Sequence, residues 1–192
     1  MTYHAPFAVP LPLPLPLPGP ARSPDMLETR LDPDRLAALR RLLILDSSPD
    51  RAYDDITRLL ATSLAVPFTM VNLLDAERDW FKSCVGIQQT QSPSVTSFCE
   101  AFFHSAQDLI VVEDTLDDER FVAHPKVVGR PFIRFYAAAR LAVGGRTIGT
   151  LCAYDTRPRR LGPDQLAHLQ AMANALVELL KRRHAGMGAV TC

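Results

Sequence analysis

Two thiols and one imidazole have the strongest claim to chemistry in this chain. Cys99 lies in "SFCEAFFH" (97–104), five residues before His104, and Cys152 lies in "GTLCAYD" (149–155). A nucleophilic cysteine needs an imidazole within about 3 Å of its sulfur, together with donors for an oxyanion. On an α-helix, five residues turn the chain by about 500°, which leaves Cys99 and His104 roughly 140° apart. Local spacing therefore gives no Cys–His dyad, and no catalytic residue is assigned. A helix start would lower the Cys99 pKa, whereas burial beside Phe98 and Phe102 would raise it. If Cys99 and Cys152 converge in the fold, they form either a redox pair or, with His104, a set of soft ligands.

The acidic run "EDTLDDE" (113–119) carries five carboxylates in seven residues, but its spacing is not that of an EF-hand loop and it has no central glycine. Asp117 or Asp118 capping a short helix is the simpler reading, and no metal site is assigned. The long connection from Asp114 to Arg134 is of the kind that forms lids or binding segments. It brings Arg120, Phe121, His124 and Arg134 towards Phe98, Phe135 and Tyr136. Arginine suits an anionic group and aromatic rings suit a planar one. The candidate ligand-binding residues are Phe98, Cys99, Asp114, Arg120, Phe121, Arg134, Phe135, Tyr136 and Cys152. The competing reading makes the phenylalanines core and pairs Arg120 with Asp114 or Asp117.

These residues must be held by a domain of ordinary composition. The 192 residues carry 21 basic and 21 acidic side chains, so net charge gives no reason to expect nucleic acid or an anionic membrane as partner. No apolar run reaches the roughly 18–20 residues that span a bilayer. The four cysteines include no C-x-x-C pair, which fits reduced thiols in a cytoplasmic protein. "VPLPLPLPLPGP" (9–20) excludes helix by its proline at every second position, so residues 1–24 read as a disordered or polyproline-II tail. A domain over 25–184 and a disordered tail over 185–192 follow.

Helical spacing runs over 31–46, where Asp32 is an N-cap, Pro33 the first helical residue and Leu36, Leu39 and Leu43 the apolar stripe, with Arg35, Arg40 and Arg41 off it. A second helix covers 50–67 and ends at Pro67. Strands are expected at 68–75 and 80–86, with Trp80 and Cys84 on one side by alternation. A polar loop (87–95), a short helix from Phe98 and a strand (108–114) come next. The connection 115–134 is expected to hold a short helix near Asp118–Val122. Two glycines, 144–145, join strands 134–143 and 146–155 as a hairpin, and a long helix covers 164–183. Hairpins flanked by helices argue for an α+β fold with an antiparallel sheet.

Five separated segments, "LLILDSSPDRAYDDITRLLATSLAVPFTMVNLLDAERDWFKSCVGI", "SFCEAF", "VVEDTLDDERFVAHPKVVG", "IRFYAAARL" and "GTLCAYDTRPRRL", resemble the GAF domain, a small-molecule and chromophore-sensing module of bacterial signalling proteins. The resemblance implies a PAS-like α/β sandwich: a central antiparallel sheet of five or six strands, N- and C-terminal helices packed on one face, and a loop-roofed pocket on the other. It implies a non-enzymatic, stand-alone sensory domain that binds a small molecule and signals through a partner protein or through a homodimer of its terminal helices. No cofactor is specified. The chain departs from the subgroup at Ala138 and Arg140, where glycine and proline are usual, and at His124, where asparagine is usual. It has neither the Cys-His dipeptide of bilin attachment nor the surrounding motifs of the methionine sulfoxide reductases. The alternatives are a thiol-based redox sensor or oxidoreductase using Cys99 and Cys152, and a ligand-free dimerisation module.

Overall fold

The computed structural model describes residues 28–188; the expectations for 1–24 and for the last four residues lie outside them. Asp32 accepts a hydrogen bond from the Arg35 N–H and Pro33 follows as the first helical residue, so α1 (Pro33–Arg41) begins where the sequence places it. Asp50 caps α2 (Arg51–Leu64) through the Ala52 N–H, and Ala65 in the left-handed conformation ends it just before Pro67. The strands are β1 (Phe68–Leu74), β2 (Arg78–Val85), β3 (Gln91–Pro93) and β4 (Leu109–Val112). A one-turn helix α3 (Pro125–Val128) precedes β5 (Phe135–Val143), β6 (Arg146–Asp155) and α4 (Pro163–Gly188).

The six strands form one antiparallel sheet in the order β3-β2-β1-β6-β5-β4. Its two faces bury two separate apolar layers. Val71, Leu73, Trp80, Phe135 and Leu151 pack with α1, α2 and α4 through Leu39, Leu60 and Leu176. Met70, Phe81, Tyr136 and Cys152 face the other way, beneath the 3-10 helix Phe98–His104 and the connection that follows it. Burial on both faces explains why β5 and β6 read as continuous apolar runs rather than as alternation. Gly144 and Gly145 adopt φ of 58° and 78° and close the β5–β6 hairpin. At the sheet centre, a Cβ on Gly149 would stand 2.3 Å from the Asn72 carbonyl oxygen, so only glycine lets β6 lie against β1 here.

Several local expectations are corrected. The stretch read as a polar loop contains β3, a three-residue edge strand paired with Arg78–Trp80 and ended by Pro93, which edge strands tolerate. A bulge in β2 at Lys82, opposite Val71 and Asn72, reverses the side-chain alternation. Trp80 therefore packs with the helices while Cys84 packs on the opposite face. No helix covers 118–122; hydrogen-bonded turns from the Asp118 carbonyl stand there, and the helix begins at Pro125, capped by His124. Leu43 lies past the end of α1 and is exposed, while Leu42 and Ile44 enter the core. The last helix runs through Gly188, past the end expected at 183.

Arg35, read as lying off the apolar stripe, is fully buried. Its guanidinium donates to the Leu74 carbonyl at 2.7 Å, the Thr147 carbonyl at 3.2 Å and the Arg30 carbonyl, and lies 5.2 Å from the Phe103 ring centroid. Burial and the neighbouring Arg30 charge pull its pKa down to about 10, so it stays charged at neutral pH. Arg140, at the place of the usual proline, donates to Thr147 Oγ1 at 2.7 Å and to the carbonyls of Ser105 and Gln107 at 2.7 and 2.9 Å. The two arginines tie the 3-10 helix region and the segment before α1 to the sheet end.

Candidate ligand-binding site

Between the sheet and its loop cover lies a cavity of about 480 Å³. Alternation along β1 sends Phe68, Met70 and Asn72 into it; β2 adds Asp79 and Phe81, and β6 adds Tyr154. Phe98, first residue of the 3-10 helix, and Ile133 close it, and Ser92 of β3 and Lys126 of α3 supply polar groups. Gly86 leaves β2 with φ of 80°, and a Cβ there would stand 2.2 Å from the Pro67 carbonyl oxygen; the rim turn thus requires glycine.

The polar wall is organised around Asp79, which is 3 % exposed. Its carboxylate pairs with Arg30 at 2.9 Å and accepts from Asn72 Nδ2 at 3.0 Å. Arg30 reaches Glu100 at 2.7 Å as well. Asn72 Oδ1 and Ser92 Oγ are buried without a hydrogen-bond partner. Burial lowers the Lys126 pKa, with the Asp79 charge opposing this, and among the described residues no carboxylate comes within ion-pair distance of its ammonium. His124 Nδ1 accepts from the Lys126 N–H at 3.1 Å, and its ring lies 4.1 Å from that of Phe98. Burial, aided by the Lys126 charge, pushes the His124 pKa down to about 4.

Below the cavity the two expected thiols meet. Cys99 Sγ and Cys152 Sγ are 3.5 Å apart, both fully buried. Thr150 Oγ1 lies 3.1 Å from Cys99 Sγ and 2.9 Å from Cys152 Sγ. Asn72 Nδ2 donates to Cys99 Sγ at 3.3 Å and the Tyr136 hydroxyl donates to it at 3.5 Å. Burial works against ionisation of Cys99, but hydrogen bonds with Cys152, Thr150 and Tyr136 outweigh it and bring the thiol to about 7. Burial pushes Cys152 well above its ordinary value, and hydrogen bonding and charge at Cys99 push the same way.

Of the nine residues singled out from sequence, Phe98 lines the cavity. Behind it Phe121 is stacked and Tyr136 tilted, with ring centroids 5.0 and 5.2 Å from that of Phe98. Cys99 and Cys152 lie beneath. Phe135 points to the helix face, because one residue along a strand reverses the side, so it belongs to the other core. Arg134 pairs with Asp114 at 2.8 and 2.5 Å, and Arg120 with Asp118 at 2.9 and 2.6 Å, outside the cavity. Two arginines of the connection, Arg120 and Arg134, are thus matched by its own acids, Arg120 by Asp118 rather than by Asp114 or Asp117. His104 is exposed at the far end of the 3-10 helix. Sequence reasoning missed Asn72, Asp79, Phe81, Ser92 and Lys126. A signal existed for Asn72, the one amide inside the apolar run "FTMVNLLD".

The GAF domain family matches residues 48–178. The chain is 34% identical over 126 residues to a cyclic di-GMP phosphodiesterase of Pseudomonas aeruginosa, a match that takes in 65% of this chain and 21% of that protein. The chain thus spans about a fifth of the length of that curated relative. Among solved structures, the GAF domain of an Acinetobacter phosphoenolpyruvate-protein phosphotransferase superposes with a TM-score of 0.59 at 16% identity, covering 81% of this chain and 97% of that one. A domain of a two-component sensor histidine kinase protein from Sinorhizobium meliloti superposes with a TM-score of 0.58 at 20% identity, covering 77% of this chain and all of that one. Among the described residues, no helix is long and apolar enough to cross a membrane.

Proposed function

Because this chain belongs to the GAF domain family, we propose that it is a non-enzymatic sensory module whose signal is a small planar molecule bearing an anionic group. The observation that carries this reading is the set of unmatched polar groups in the cavity wall. Asn72 Oδ1 and Ser92 Oγ are buried and unpartnered, and Lys126 presents an ammonium with no carboxylate at ion-pair distance among the described residues. An unpaired buried polar group costs about 1–3 kcal/mol, so a ligand that partners these groups recovers that free energy on binding. Phe68, Phe81, Phe98 and Tyr154 offer ring faces and edges to a flat body. A volume of about 480 Å³ suits a ligand of metabolite size. Arg120 and Arg134, the anion-binding side chains favoured by sequence, are replaced in this role by Lys126.

Thermal denaturation with a panel of aromatic and heteroaromatic carboxylates, each beside its neutral amide, tests the reading. Carboxylates are expected to raise the wild-type melting temperature more than their amides, and Lys126→Met to abolish that difference. Equal shifts for acids and amides would remove Lys126 from recognition.

The output is proposed to pass to a partner protein or a second copy of the chain through the terminal helices. Much of the α4 stripe is already used within the molecule, since Leu169, Ala173, Leu176 and Leu180 are fully buried. Leu43, just past the end of α1, and Leu59, on α2, remain exposed. Sedimentation velocity is expected to show a dimer that Leu43→Glu with Leu59→Glu converts to monomer; a wild-type monomer at all concentrations leaves only the partner-protein route.

A further inference from the structure

We propose that Cys99 and Cys152 form a reversible disulfide, placing a dithiol redox switch under the floor of the ligand cavity. The two residues are 53 positions apart in sequence, one on the 3-10 helix that covers the sheet and the other within β6, yet their sulfurs are 3.5 Å apart. A disulfide requires about 2.05 Å, so closure asks for a movement of about 1.5 Å between the cover and the sheet.

The surroundings are not those of inert core thiols, which sit among apolar groups. Around the single Cys99 sulfur stand the Asn72 amide, the Tyr136 hydroxyl, the Thr150 hydroxyl and Cys152. These groups can stabilise negative charge on one sulfur while the second waits in contact. Asn72 also lines the cavity, so the wall between the cavity and Cys99 is one side chain thick.

The oxidant class that fits this enclosed route is a small hydroperoxide, ROOH. Cys99 thiolate attacks its terminal oxygen; the S–O bond forms, the O–O bond breaks, and ROH leaves after taking a proton. The Cys152 sulfur then attacks the Cys99 sulfur; the S–S bond forms, the S–O bond breaks, and water leaves with the Cys152 proton. In sum, two thiols and ROOH give a disulfide, ROH and water, a two-electron oxidation that an external dithiol reverses. Oxidation removes the sulfur from its hydrogen bond with Asn72 and alters the wall on which the ligand rests.

The test uses the full chain with Cys84→Ser and Cys192→Ser, which leaves both proposed partners in place. After treatment with tert-butyl hydroperoxide, the intact mass is expected to fall by about 2 Da, with both titratable thiols lost. Non-reducing peptide mapping is expected to join the Cys99 and Cys152 peptides, and dithiothreitol to restore both thiols. With Cys152→Ser added, oxidation is expected to stop at a sulfenic acid on Cys99, trapped by dimedone. Two thiols that remain alkylatable on denaturation, at hydroperoxide concentrations that oxidise Cys84 in the wild type, would overturn the proposal; so would irreversible oxidation without the cross-link. The readout needs no cavity ligand, so it stands or falls independently of the proposed ligand.

Discussion

His124 shows how one side chain joins the cap of a helix to the pH response of the domain. Its imidazole accepts from the Lys126 N–H while burial holds its pKa near 4. Between about pH 6.5 and pH 4 the unfolded chain takes up a proton that the folded chain refuses, so this residue's contribution to stability is present above pH 6.5 and lost as pH falls through that window. Solvent screening at the partly exposed ring limits the effect to roughly 1–2 kcal/mol. His124→Asn keeps an acceptor for the cap and removes the titration. Urea midpoints of the variant are expected to fall less than those of the wild type between pH 6.5 and 4; parallel profiles would show that His124 does not titrate as described. At this scale the sequence was legible where chemistry is local: Asp32 and Pro33 set the start of α1 as their types require. It was misleading where a long side chain finds distant partners. Arg35 lies off the apolar stripe in sequence, but the carbonyls that hold it belong to residues 30, 74 and 147.

Among the elements, β1 and β6 position the site, since β1 supplies Phe68, Met70 and Asn72 and β6 supplies Tyr154 and the second thiol. Their close approach depends on Gly149, where a Cβ would meet the Asn72 carbonyl oxygen at 2.3 Å and Leu73 Cδ2 at 2.9 Å. Gly149→Ala is expected to cost about 1–3 kcal/mol through overpacking, read as a lowered urea midpoint. A variant of unchanged midpoint would mean that the two strands separate without penalty. The β5–β6 hairpin was legible because Gly144 and Gly145 supply the turn its strand twist demands. The β2 bulge was not, because Lys82 carries no local mark of an extra residue. Its ammonium is drawn to the helix side by the Ser47 hydroxyl and the Ser48 carbonyl, a tertiary cause. That single insertion turns Trp80 and Cys84 to opposite faces.

For the whole molecule, the order of elements was enough to indicate an α+β domain, and five motif segments pointed to the GAF family that the family match shows. The sheet separates two duties. One face packs with α1, α2 and α4, and the other carries the cavity and the dithiol. The cavity-lining residues were only partly legible, because two arginines of the connection are taken up by its own acids, Arg134 by Asp114 and Arg120 by Asp118. Lys126, a cation with no carboxylate at ion-pair distance among the described residues, comes instead from a one-turn helix whose position depends on the fold around Pro125. The most direct measurement of the sensory reading is the melting-temperature difference between aromatic carboxylates and their amides, in wild type and in Lys126→Met. A carboxylate-specific rise in wild type that vanishes in the variant is the expected result. A panel that stabilises neither protein, or both alike, would contradict a cavity built for an anionic planar signal.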